Sequence, residues 1–84
     1  MIEVREIEAA LLAFLQREVF APEIRLDSET NLIASGFDSI SLVRLLLFVE
    51  ASYGLWLPEG EINSTSLENI RNLAGTVCRL LHER

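Results

Sequence analysis

Apolar residues that return every three or four positions constrain this chain most. Val4, Ile7, Leu11, Phe14, Leu15 and Val19 form one such series, and Leu67, Ile70, Leu73, Ala74, Val77, Cys78 and Leu81 form another. Strand-type alternation never runs beyond a few residues, so the chain reads as all-α. The first series predicts a helix from about Glu3 to Phe20, with Pro22 marking its exit. A second helix is predicted over Ser39 to Tyr53, capped by Asp38 and stopped by Gly54. It is apolar on more than one face: Ile40, Val43, Leu46, Leu47 and Glu50 lie along one stripe, and Leu42, Leu45 and Val49 form another. A short element opens at Pro58 and ends near Ile62. The last helix is predicted to open at Thr65-Ser66-Leu67-Glu68, which has capping-box spacing. The expected architecture is a four-helix bundle, three main helices plus one short one, forming a single domain over residues 1–84 with a long first loop.

That loop, residues 21–38, is rich in turn formers such as Asp27-Ser28-Glu29-Thr30-Asn31 and Ala34-Ser35-Gly36. A connection this long in a small domain is functional or pinned by its own side chains. Ile24, Leu26, Leu32, Ile33 and Phe37 are the residues expected to pin it.

Composition removes several classes of function. Half of the 84 residues are hydrophobic, enough for a packed core. Apolar runs such as Leu45 to Val49 are far too short to span a bilayer, and the acidic start (Glu3, Glu6, Glu8) is no targeting sequence. The chain is read as cytoplasmic. One cysteine, Cys78, excludes an internal disulfide and a cysteine-cluster metal site, and it reads as a buried small residue. The one histidine, His82, reads as a solvated helix-end residue and a poor general base. Glu59 and Glu61 are too sparse for a metal site. Seven basic residues, all arginine, against thirteen acids give a net charge of −6, which disfavours nucleic acid. Trp56 is expected to cover the open end of the bundle, with the rim of a pocket as the other reading.

The segment Gly36-Phe37-Asp38-Ser39-Ile40 places one hydroxyl where loop becomes helix. Gly36 allows a tight turn and Phe37 can anchor it. Ser39 is either a plain first-turn residue behind its Asp38 cap or the attachment point of something covalent. A phosphate ester at that position would meet the positive end of the helix dipole.

This segment, followed by an apolar helix, resembles the phosphopantetheine attachment motif of acyl and peptidyl carrier proteins. Asn31-Leu32 ahead of Gly36, and Tyr53-Gly54 through Leu57-Pro58, resemble further landmarks of that family, so the likeness covers nearly the whole chain. The resemblance implies that a transferase using coenzyme A places 4′-phosphopantetheine on Ser39, with Asp38 as motif partner, and that the arm's thiol carries a substrate as a thioester. It implies a free-standing, non-catalytic carrier, a phosphoprotein in polyketide, nonribosomal peptide or related biosynthesis. Implied partners are a phosphopantetheinyl transferase, an acyl- or aminoacyl-activating ligase, and a downstream condensing or acyl-transfer enzyme. The carrier is expected to be a monomer that binds neither nucleic acid nor membrane.

Ile40 stands where the family commonly has Leu, and the second helix carries one acid, Glu50, and one base, Arg44. Its outward positions are expected to be Ser41, Leu45, Phe48 and Ser52, with core filling as the alternative for Leu45 and Phe48. The expected partner-binding set is Ile40, Ser41, Leu42, Arg44, Leu45, Phe48 and Phe37, with Ile33 to Phe37 at the loop end and Glu61 and Ile62 in the short element. The stretch Leu57-Pro58-Glu59-Gly60-Glu61-Ile62 resembles the third-helix region of carriers for aminoacyl or unusual starter units. The rival reading is a helical adaptor that binds a partner helix and needs no modification.

Overall fold

The computed structural model describes residues 2–83, and every regular element among them is helical. There are three α-helices: α1 (Val4–Phe14), α2 (Ser39–Tyr53) and α3 (Ile70–Glu83). The expected fourth, short helix is a single 3₁₀ turn, Glu59–Glu61, after Pro58. Three residues can close no more than one such turn, so it acts as a corner.

The first helix does not continue to Phe20 as an α-helix. Beyond Phe14 it widens into a π-helical turn, Leu15–Val19, closed by the Phe20 N–H donating to the Leu15 carbonyl at 2.8 Å. In an α-helix, residues five apart point about 140° away from each other. The wider turn brings Leu15 and Phe20 to the same side, and both are buried. Phe14 is buried as well, stacked on Phe48 of α2 with ring centroids 4.3 Å apart.

Ile7 and Leu11 of α1, Leu45 and Val49 of α2, and Ile70, Leu73, Ala74 and Val77 of α3 form the core, closed by Leu32 and Leu57 from the connections. Burying each of the larger side chains stabilises the fold by about 1.5–3 kcal/mol before conformational entropy is counted. α1 packs chiefly on α3.

The α3 start differs from the sequence expectation. Thr65 to Ser66 lie in a turn organised by Asn63, whose Oδ1 accepts from the N–H groups of Thr65 and Ser66, both at 3.0 Å. Ser66 is buried, with its hydroxyl satisfied by the Glu61 carbonyl at 2.8 Å. The cap is Asn69, whose Oδ1 accepts from the Asn72 N–H at 2.8 Å. The Thr65-x-x-Glu68 spacing was present, but Asn63 takes the Thr65 N–H and the Thr65 carbonyl takes the Glu68 N–H, so neither amide is left for a box.

The long loop is pinned, though by fewer apolar residues than expected. Leu32 is fully buried and Leu26 and Phe37 are half-buried, whereas Ile24 and Ile33 are exposed. Polar groups hold the rest. The Gln16 amide mimics a strand partner, donating to the Ile24 carbonyl at 2.8 Å and accepting from the Leu26 N–H at 2.9 Å. The Ser28 hydroxyl donates to the Glu8 carboxylate, the Arg71 N–H donates to the Ser28 carbonyl at 3.2 Å, and Arg71 pairs with Glu29. Loop, α1 and α3 are thereby tied together, which fixes where α2 begins.

Candidate functional site

The turn into α2 is built from local rules. The Ser35 and Phe37 N–H groups donate to the Leu32 carbonyl, at 3.2 and 3.0 Å, and Gly36 takes φ of +107°. That backbone conformation favours glycine. A side chain at Gly36 would meet no atom within 4 Å, so the requirement is conformational and not steric. Phe37 packs against the core and holds the turn down.

Asp38 then caps α2 in an extended conformation. Its Oδ1 accepts from the Ser41 N–H at 2.8 Å and from the Ser41 hydroxyl at 2.9 Å. These two bonds, the backbone one first, hold its carboxyl below the usual carboxylate range. Neither bond uses Ser39. Ser39 is exposed, and its hydroxyl sits on the first helical residue, next to the positive end of the dipole.

The expected docking residues divide when placed on α2. Ile40 is 66% exposed and Arg44 is exposed, while Leu42 is half-buried. Leu45 is completely buried and Ser41 nearly so, correcting the expectation that both point outward; Phe48 is half-buried against Phe14, and of that stripe only Ser52 is exposed. A helix apolar on two sides gives no phase by pattern, and Ser41 is tolerated inside because Asp38 satisfies its hydroxyl. The outward apolar residues are Ile40, Val43 and Leu47, at 66, 54 and 55% exposure. Arg44 is held at the edge of this face by donating to the Glu18 carbonyl at 2.7 Å, where the widened turn ends. A cation there suits the negative end of the first helix.

Glu61 and Ile62, in the 3₁₀ corner, are half-buried; Glu61 pairs with Arg79, and Phe37 is half-buried at the loop end. Trp56 does not cover the end of the bundle but stands exposed. Cys78 is half-buried and its Sγ lies 3.8 Å from His82 Nε2, which itself lies 3.3 Å from the Ile2 carbonyl. Among the described residues no three His, Cys, Asp or Glu side chains cluster as a metal site, and no helix is long and apolar enough to cross a membrane.

A search of curated proteins returns no match to this chain. The family model of the phosphopantetheine attachment site matches residues 6–77, which takes in most of α1, the loop, the Asp38-Ser39 turn, all of α2 and part of α3. Proteins of this family are carriers and not catalysts, hold 4′-phosphopantetheine covalently on a serine, and work with transferases and biosynthetic enzymes. With the match spanning nearly the whole helical array, the chain belongs to the phosphopantetheine-binding carrier proteins.

Proposed function

We propose that Ser39 is the serine that receives 4′-phosphopantetheine, and that the chain acts as one carrier domain for acyl or aminoacyl groups in a biosynthetic pathway. The observation that carries this reading is the exposed Ser39 hydroxyl, directly behind a carboxylate committed to the helix cap, inside the family match. The residues present fit such a group. The hydroxyl faces water, so a modifying enzyme can reach it, and the helix N-terminus favours the phosphate charge. When bound, the arm supplies a terminal thiol on which an acyl or aminoacyl group is carried as a thioester.

The chain's own residues supply presentation. Asp38 keeps the first turn of α2 closed, Gly36 and Phe37 fix the direction from which the chain enters it, and Ser39 is held outward between them. Docking falls to the apolar face of Ile40, Val43 and Leu47, with Arg44 at its edge and with Leu42, Phe48, Phe37, Glu61 and Ile62 at its margins. Ser41 and Leu45 support that face from inside the fold. The partners we infer are a phosphopantetheinyl transferase, an acyl- or aminoacyl-activating ligase and a downstream condensing or acyl-transfer enzyme. Because coenzyme A donates the arm, the reading places the chain in the cytoplasm.

The test is intact-mass measurement after incubation with coenzyme A and a broad-specificity phosphopantetheinyl transferase. One phosphopantetheine is expected on the native chain and none on Ser39→Ala. A native chain that stays unmodified would sink the carrier reading, and modification of Ser39→Ala would move the site elsewhere.

A further inference from the structure

Between α2 and the corner that follows it lies a groove of about 400 Å³, lined by Leu42, Leu46, Trp56, Leu57, Glu59 and Ile62. Leu42 and Leu46 stand three and seven residues beyond Ser39, so they share its side of the helix. Leu57, almost fully buried, continues the apolar lining. Two side chains break the apolar character. Trp56 exposes 58% of its surface, an unusual state for an indole. Glu59 carries a carboxylate that forms no ion pair among the described residues: Arg79 is committed to Glu61 and Glu83, Arg71 to Glu29 and Arg17 to Glu18.

An indole face and an unpaired carboxylate beside an apolar lining attract the same kind of group. The ring quadrupole and the negative charge both favour an ammonium, and the leucines favour a short hydrocarbon. A dicarboxylic cargo would be repelled by Glu59, and a neutral acyl chain would gain nothing from this exposed carboxylate. We propose that this groove receives an aminoacyl cargo, its ammonium between Trp56 and Glu59 and its side chain against Leu42 and Leu46. The inference rests on the carrier reading of Ser39 and names the class of group carried.

The test uses the chain loaded, through the transferase, with hydrolysis-stable amide probes on the arm: a 2-aminobutyryl group and, as its neutral match, a butyryl group. Intact mass establishes loading first; failure to load refutes the carrier reading and this inference with it. Trp56 is the one tryptophan in the sequence, so its emission reports the groove directly. The 2-aminobutyryl probe is expected to shift Trp56 emission and the Leu42 and Leu46 methyl resonances more than the butyryl probe does. In Glu59→Gln, the population held in the groove should fall by about three- to tenfold for the charged probe and stay level for the neutral one. In Trp56→Leu, read by the methyl resonances, the difference between probes should shrink as well. Equal responses to both probes, or a response to the charged probe that survives Glu59→Gln, would overturn the proposal while leaving the carrier reading intact.

Discussion

Asp38 meets α2 through one oxygen that accepts from both the amide and the hydroxyl of Ser41, and these bonds favour its ionised form. A carboxyl whose pKa is lower folded than unfolded stabilises the fold fully above its ordinary range. That contribution is lost as pH falls through the lower, folded value. Thermal melts of the native chain and of Asp38→Asn should therefore differ most near neutral pH and converge in acid, below the usual carboxylate range. A gap that stays constant with pH would show that the charge contributes nothing to the cap. The Asp38–Ser39 pair was legible in the sequence because a cap is written within three residues. The burial of Ser41 was not, since a serine reads as surface until its hydroxyl is seen to have a partner.

Helix ends show how several local signals compete at the scale of an element. Thr65 and Glu68 have the spacing of a capping box, yet Asn69 caps α3. Asn69→Ala is expected to lower stability by about 1 kcal/mol, and Thr65→Ala to stay within about 0.5 kcal/mol, both read from urea unfolding; the reverse order would restore the box. α2 had the opposite difficulty. Its extent was legible from Asp38 to Gly54, where φ is +66°, but its orientation was not. Apolar residues on two faces leave the rotation to be set by neighbours, here the Phe14 ring against Phe48 and the Glu18 carbonyl holding Arg44. The widened turn of Leu15–Val19 was likewise invisible, because the same residues fit an α-helical pattern until Leu15 and Phe20 must both be buried.

Across the whole molecule the net charge is −6, and the outward face of α2 shows Ile40, Val43 and Leu47 with the cation Arg44 at its edge and one acid, Glu50, along the same stripe. Docking there should depend on apolar contact more than on long-range attraction. Leu47→Ser is expected to raise the transferase KM for this carrier by roughly five- to thirtyfold with kcat less affected. Raising salt from about 0.05 to 0.5 M should change the native KM much less than that. Melting of the variant should stay near native, since Leu47 is largely in water already. A strong salt dependence with an unaltered Leu47→Ser KM would place docking elsewhere. The chain's own residues determined the helical class, the position of α2 and the serine at its start, because periodicity, capping and turn formation act over a few neighbouring residues. Which face of α2 meets the core, which asparagine caps α3, how the loop is tied through Gln16 and where Trp56 and Glu59 stand were decided only in three dimensions. Those features depend on contacts between residues far apart in the chain, and only the packed molecule brings them together.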